Sequence, residues 1–315
     1  MAKDSFEPLR IGYMEISDHL AVKALDQGLP EKERLEFETL PVRSFWRMGE
    51  AFRDREMEGA LLPLPTALEL FGKGMDIGLL GFVNQEGGSL LFNSRAGLGD
   101  LKGCKGRSLL VPSRLSVEAM LMHRLFTKTG LKVGKEYGAD SGTRLVEISP
   151  HLMLEVVRQD KEGDIAGFLM PEPYAGLAVK EGTGDFFLQT GSLWPGHPSS
   201  VLVFHRTVLE EYPDAVRSFT AGLKEAGHWI ARSSETEFAD FTYKSFGTRL
   251  GPESPVMQKR EEMFGPGISP PKLDTIQVIT AYMSSRMGMT DCRGKADDII
   301  QTGWLSELTT RDLTS

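Results

Sequence analysis

The side chains best suited to hold a small polar ligand stand in the middle of the chain, between a short apolar strand and a helix. Ser113, Arg114 and Ser116 follow the apolar segment at 108–111 and precede a helical run that ends at Gly130. Free backbone N–H groups at a helix start attract anions, and a guanidinium pairs well with a carboxylate or a sulfonate. The segment therefore predicts a site for an anion or a polar ligand. The alternatives are that Ser116 caps its helix and that Arg114 is a solvated surface charge.

A second group of candidate ligand residues comes near the amino terminus, where the predicted strand at 9–13 ends. Tyr13 closes this strand, and Ser17, Asp18 and His19 precede a short helix. Asp18 either caps that helix or contacts ligand, because a short side-chain oxygen accepts hydrogen bonds from free N–H groups. His19 could donate a hydrogen bond to an anion, and Tyr13 could project its hydroxyl into the same cleft.

The last candidates lie on three later segments. Pro65 and Thr66 open a helix after the predicted strand at 59–62, Glu172 stands between two prolines, and Trp194 and His197 lie in a turn-rich segment. Thr66 either caps its helix or offers its hydroxyl to ligand, and Trp194 either closes over ligand or packs beneath its loop. A buried glutamate that faces an anion repels it. Glu172 therefore favours either a ligand with a cationic or N–H group or a structural pairing with an arginine.

Strand and helix patterns alternate along the chain and must position these residues. Strands are predicted at 9–13, 35–40, 59–62, 78–82, 108–111, 144–148, 165–169 and 200–204. The alternation is typical of a parallel sheet covered by helices on both faces, and the pattern after 207 is mostly helical. The polar segments 84–89 and 190–198 are predicted to cross between two α/β units. Residues 1–86 and 198–315 would then form a discontinuous first lobe, and residues 87–197 the second lobe.

The composition is that of a soluble globular protein with room for two cores. The chain has 315 residues, of which 40% are hydrophobic and 25% charged, and its formal net charge is -8. An acidic protein is a poor partner for nucleic acid and for anionic membranes. Cys104 and Cys292 stand far apart and outside any metal-ligand spacing. We therefore predict no metal site and no cofactor, and leave the pairing of the two cysteines open.

In their order, these segments resemble the bilobed substrate-binding proteins of ABC importers, in the group that binds nitrate, sulfonates, taurine and bicarbonate. The resemblance covers residues 9–231 and rests on the succession of motifs more than on any one of them. The motifs are Ile11-Gly12-Tyr13 through Ser17-Asp18, Glu58-Gly59-Ala60 through Pro65-Thr66, Leu101-Lys102-Gly103 through Ser113, Gly163-Asp164-Ile165-Ala166, Pro171-Glu172-Pro173-Tyr174, and His197-Pro198-Ser199-Ser200-Val201-Leu202-Val203.

The resemblance implies an α/β fold of the type II periplasmic-binding-protein kind, with two lobes, two interlobe crossings and a helical carboxyl-terminal part. It implies a non-catalytic receptor that captures a small anion or small organic acid in an interlobe cleft and presents it to an ABC permease. We expect a monomer in the periplasm or on the outer side of the membrane. No export signal is visible in residues 1–8, so we expect either that the signal is missing from this sequence or that the protein is cytoplasmic.

Two alternatives remain, because related folds occur in the pyrimidine-precursor synthase of thiamine biosynthesis and in other enzymes. One is a pyrimidine-precursor binding protein. The other is a small-molecule lyase or dehydratase in which Glu172 acts with His19 or His197 as an acid and base pair. The sequence contains neither the synthase's cysteine-rich motif nor a nucleophile elbow, a phosphate-binding Gly-Lys-Ser/Thr loop or a zinc-spaced histidine pair. We therefore predict no catalytic residue.

Overall fold

Two β-sheets organise the chain. A computed structural model describes residues 8–29, 37–134, 142–251, 254–301 and 303–304. The strands are β1 (Leu9–Tyr13), β2 (Phe37–Pro41), β3 (Gly59–Pro63), β4 (Ile77–Phe82), β5 (Ser89–Asn93), β6 (Ser108–Val111), β7 (Val133–Gly134), β8 (Thr143–Glu147), β9 (Ile165–Met170), β10 (Gly184–Gln189) and β11 (Ser200–His205).

The helices pack on both faces of these sheets. They are α1 (Leu20–Asp26), α2 (Phe45–Arg53), α3 (Leu64–Gly72), α4 (Val117–Lys128), α5 (Pro150–Gln159), α6 (Tyr174–Lys180), α7 (Arg206–Glu211), α8 (Pro213–Arg232), α9 (Glu235–Phe246), α10 (Pro255–Gln258), α11 (Arg260–Phe264), α12 (Leu273–Met287) and α13 (Ala296–Ile299). Within the described ranges, no helix combines the length and the apolar character needed to cross a membrane.

Each sheet contains both parallel and antiparallel strands. The first sheet has the order β2-β1-β3-β11-β4, and the second has the order β10-β5-β9-β6-β8-β7. The prediction of purely parallel sheets is wrong, because β11 runs antiparallel to β3 and β4, and β5 runs antiparallel to β9 and β10. β5 and β11 each enter their sheet from the other sheet and not through a helix on the same sheet. The rule that makes strands parallel across a helical connection therefore does not apply to them.

Most predicted strands are present, and the three that were not predicted have identifiable reasons. β5 is wholly buried, but it follows Gly87 and Gly88, and glycine pairs are typical of loops. β10 is an edge strand with an irregular register between Phe186 and Leu188, which breaks the alternation of apolar residues. β7 has only two residues. The strand predicted at 35–40 is seen from Phe37 onward, and residues 35 and 36 lie outside the described residues.

The apolar core joins the two sheets as well as covering each of them. One cluster packs the first sheet against α1 and α8, and another packs the second sheet against α5 and α6. A third cluster is continuous from Leu62 in β3 to Leu109 in β6. Helix α12 packs on both α3 and α4, where the Tyr282 hydroxyl lies 2.9 Å from Nδ1 of His123. The first sheet draws its strands from residues 9–82 and 200–205, and the second from 89–189. The lobe boundaries at 86/87 and 197/198 stay a prediction.

Close packing between β5 and β9 generates a test of this arrangement. A Cβ atom on Gly167 of β9 would lie 2.3 Å from the backbone oxygen of Leu91 in β5. We expect Gly167→Ala to lower the free energy of unfolding by about 1–3 kcal/mol, because neither backbone can move without disturbing the ladder. Gly99→Ala is the matched control, since a Cβ there meets no atom within 4 Å. Equal denaturation midpoints for the two variants would contradict the strand pairing.

Candidate ligand-binding site

A small cavity of about 30 Å³ lies where the two sheets face each other. Parallel strands of both sheets deliver their carboxyl ends to it, and β11 and β5 begin beside it. Open α/β sheets bind ligands at this end of their strands. The lining residues are Ile16, Asp18, Phe45, Pro63 and Ser199 from the first sheet's side and Gly88, Pro112, Ser116, Glu118, Leu169, Met170 and Pro171 from the second sheet's side. The space holds only one or two water-sized groups.

Asp18 contributes a carboxyl group from the first sheet's side. It is 6% exposed, and Ser199 Oγ donates a hydrogen bond of 2.5 Å to its Oδ2 while Ser17 Oγ donates one of 3.1 Å to its Oδ1. The interpretation of Asp18 as a helix cap is wrong, because α1 has no side-chain cap and the 3-10 turn at Ser17–His19 before it has none either. Its carboxyl oxygens accept hydrogen bonds from the Ser17 and Ser199 hydroxyls and from Asn84 instead, so the side chain is held at the cavity wall.

Glu118 contributes a second carboxyl group, from the first turn of α4. It is 8% exposed, and its Oε1 has no hydrogen-bond partner in the described part of the chain. Burial raises the pKa of this carboxyl, against hydrogen bonds from Ser199 and Ser116 that lower it. Burial and the negative charge of Glu118 together raise the pKa of Asp18 to about 6. Two buried carboxyl groups in one cavity disfavour each other's ionisation.

Neither histidine of the predicted site supplies a positive charge. Nδ1 of His19 accepts a hydrogen bond from the Met14 N–H at 2.8 Å, so its Nε2 carries the proton and donates to Ser200 Oγ at 3.0 Å. Burial lowers the pKa of His19 to about 3. Burial also lowers the pKa of His197, whose Nδ1 lies 4.0 Å from Glu118 Oε1. None of the described residues that line the cavity carries a positive charge.

Several predicted residues connect the two sides instead of lining the cavity. Thr66 Oγ1 donates 2.9 Å to the Leu115 backbone oxygen, and the Ser17 N–H donates 2.8 Å to the Glu172 backbone oxygen. Ser113 Oγ accepts from the Leu115 N–H. Ser116 does line the cavity, and it caps α4 by accepting from the Ala119 N–H, as its alternative interpretation proposed.

Other predicted residues point elsewhere. Arg114 is exposed and borders an outer groove of about 1030 Å³, where its N–H donates to Glu147. The Tyr13 hydroxyl accepts from Lys23 Nζ at 3.3 Å, within the core cluster that holds Leu20. Pro65 lies inside α3 and does not line the cavity. Pro63 lies at the position expected for Pro65.

Three further predicted residues do not line the cavity. They are Glu172, Trp194 and His197. Glu172 borders a separate groove of about 630 Å³, where its Oε2 accepts from the Gly176 N–H at 2.9 Å. Trp194 packs against the shared core cluster, its ring 6.4 Å from that of His197. His197 is fully buried behind Glu118, with Nε2 3.0 Å from Thr190 Oγ1.

The sequence interpretation missed Glu118, Ser199 and Phe45, although two of them left a signal. Glu118 stands two residues after the capping Ser116, where an acidic side chain is ordinarily explained by the positive end of the helix dipole. Its apolar neighbours Val117 and Ala119 were the sign that this position is buried. Ser199 precedes a wholly buried strand with the apolar run Val201–Phe204, and a polar residue at that point marks the start of the strand.

The described residues contain no group of three His, Cys, Asp or Glu side chains placed to hold a metal ion. The carboxyl groups of Asp18 and Glu118 face a cavity whose other walls are mostly apolar. It can accept hydrogen bonds and balance positive charge, and it offers few donors of its own.

Comparison with solved structures identifies the fold. The chain is similar to the ligand-binding component of an ABC-type import system from Staphylococcus aureus, solved with zinc bound, with a TM-score of 0.78, 18% identity, and coverage of 96% of this chain and 99% of that one. It is also similar to the periplasmic nitrate-binding protein NrtA from Synechocystis, with a TM-score of 0.76, 16% identity, and coverage of 98% and 89%. The predicted two-lobed periplasmic-binding-protein fold is confirmed.

Sequence comparison gives the family. The nitrate import ATP-binding protein NrtC of Synechocystis is 25% identical over 232 residues, which is 69% of this chain and 34% of the relative. The chain thus spans about a third of the length of this curated relative. The model of the NMT1-like family matches residues 2–242, well over half of the sequence, and the chain therefore belongs to the NMT1-like family.

Proposed function

We propose that this protein is the solute-binding component of an ABC import system, and that it binds a small solute in the cavity between its two sheets. The observation that supports this most is that side chains of both sheets, at their strand ends, line one closed space. The names of the similar proteins support the same role, since they are receptors or components of import systems. An ABC permease as partner and a periplasmic location belong to this proposal.

Binding in this site requires the two lobes to move apart and close again. A cavity of about 30 Å³ is too small to admit an organic solute without opening. The two crossing segments lie side by side as a hinge, where the Glu86 N–H donates 2.9 Å to the His197 oxygen and Gln85 pairs with Pro198. A solute that contacts both sides favours the closed form by its higher affinity for that form.

For the ligand class, the relatives favour a small anion or small organic acid, as the sequence predicts. The start of α4 lies at the cavity beside Ser116, and the positive end of the helix dipole favours negative charge there. Phe45, Ile16 and Leu169 supply apolar walls that suit an organic molecule. A small organic acid therefore fits the cavity better than a bare inorganic ion.

The geometry gives little support to the lyase alternative. Both nitrogens of His19 are occupied by Met14 and Ser200, so this imidazole is not available as a base. Glu172 borders a different groove. We therefore propose a non-catalytic receptor, and the test below includes recovery of the solute.

Calorimetric titration with nitrate, bicarbonate, ethanesulfonate and taurine tests the proposed function. We expect a one-site isotherm with at least one of them and recovery of the solute chemically intact. Thr66→Val should weaken that binding about three- to tenfold, because it removes one hydrogen bond across the closed cleft. Thr127→Val is the matched control, since Thr127 bonds only within its own helix at His123. Chemical conversion of the solute would contradict the proposed receptor function. So would the absence of binding across a wider set of small solutes.

The carboxyl pair makes the stability of the empty protein depend on pH. The pKa of Asp18 is about 6 in the folded protein against 3.8 for the unfolded group, so the folded state holds the proton more tightly between those values. The free energy of unfolding should therefore fall as pH rises from 4 to 7, by up to about 3 kcal/mol from this group. Denaturation of wild type and Asp18→Asn across this range measures the difference, and parallel curves would show that Asp18 is not perturbed.

A further inference from the structure

The hydrogen-bond donors around the two carboxyl groups leave one carboxyl oxygen without a partner. Asp18 receives bonds from Ser199, Ser17 and Asn84, and Glu118 receives one from Ser116. Ser199 bonds to both Asp18 and Glu118, but a hydroxyl has one proton, which it donates to Asp18 Oδ2. Among the described residues Glu118 Oε1 has no hydrogen-bond partner, and the residue is buried, with only 8% of it exposed. Nearby, Asn84 Oδ1 is also buried without a partner among the described residues. An unpaired buried oxygen costs free energy, so the site as it stands has acceptors in excess.

The surrounding groups do not correct this imbalance. His197 is the nearest possible cation to Glu118, with Nδ1 4.0 Å from Oε1. Nδ1 of His197 lies 3.4 Å from the Pro198 backbone oxygen, which can only accept, and Nε2 lies 3.0 Å from Thr190 Oγ1. The Nδ1 proton is therefore directed at Pro198, and Glu118 Oε1 receives no hydrogen bond from His197. Behind it, the charge of Glu86 is balanced by Lys259 Nζ at 3.3 Å.

We propose that the solute carries a protonated or N–H-bearing nitrogen, such as an ammonium or amidinium group, and that this nitrogen lies between the carboxyl groups of Asp18 and Glu118. The inference rests on the proposed receptor function and narrows its ligand class to small organic molecules with such a group, including organic acids that also carry an amine. The nitrogen satisfies Glu118 Oε1 and balances the negative charge.

An anion without hydrogen-bond donors neither balances the negative charge of the carboxyl groups nor satisfies their oxygens. It adds a further negative charge to a cavity that already holds two carboxyl groups and no lining residue of positive charge. Such a ligand can bind only after the carboxyl groups take up protons, which then serve as donors. The two classes of ligand therefore differ in the direction of proton flow. A nitrogen cation displaces protons from the pair, and a bare anion draws protons in.

Calorimetry at pH 6, in two buffers of different ionisation enthalpy, measures that direction. The probes form a matched series: ethylammonium carries only the nitrogen, ethanesulfonate only the acid, and taurine carries both. We expect taurine and ethylammonium to bind at least tenfold more tightly than ethanesulfonate, with release of protons. Potassium chloride tests whether charge without N–H donors suffices, and binding as tight as that of ethylammonium would count against the proposal. Tighter binding of ethanesulfonate with proton uptake would overturn it and leave the receptor function intact.

Substitution of the two cavity carboxyl groups also tests whether they bind the nitrogen of the solute. Glu118→Gln should weaken taurine binding by about tenfold or more, because it removes the unpaired charge that the nitrogen meets. Asp18→Asn should act in the same direction, and both should fold, because each removes a carboxyl whose burial is costly. Glu155→Gln makes the same change at an exposed position of α5. Unchanged affinity in both cavity variants would overturn the proposal, and absence of binding to a wide set of nitrogen-bearing and nitrogen-free solutes would overturn the receptor function itself.

Discussion

The burial of two carboxyl groups around one serine hydroxyl is the constraint on which the site depends. Asp18 and Glu118 come from different sheets, so the cavity that they share lies between the two sides of the molecule. Contacts that need no ligand connect these two sides, such as the hydrogen bond from the Thr66 hydroxyl to the Leu115 oxygen. The carboxyl pair opposes the contact between the two sides, because like charges and unpaired oxygens are costly in a small, buried space. A solute that neutralises the pair therefore turns an opposing interaction into a favourable one.

The topology explains why these residues meet. Strands β1 and β6 each end at the cavity and lead into a helical turn, which carries Asp18 in one case and Glu118 in the other. Strand β11 begins at the same place because it runs antiparallel to β3, and this puts Ser199 between the two acids. The antiparallel direction of β11 is thus needed for the site. If β11 ran parallel to β3, its first residue would lie at the opposite end of the strands, away from the cavity.

The sequence predicted the fold more completely than the site. Alternating apolar segments and helix starts located β1, β6 and most other strands, because burial in a sheet requires those patterns whatever the ligand is. Predictions of side-chain direction were less successful. Arg114 and Glu118 stand four positions apart near one helix start, yet the arginine is exposed and the glutamate is buried. The strand-end rule finds the segment, but the local turn and the packing of the opposite sheet decide which side chain enters the cavity.

Carboxyl ¹³C NMR titration of Asp18 and Glu118, with and without taurine, measures the central claim most directly. The account predicts that in the free protein both groups titrate above their ordinary values, with Asp18 near pH 6. Saturation with taurine should lower both pKa values, because the ammonium group stabilises the carboxylates. If taurine binds and these pKa values stay unchanged or rise, the bound nitrogen does not lie between the two carboxyl groups and the account is contradicted.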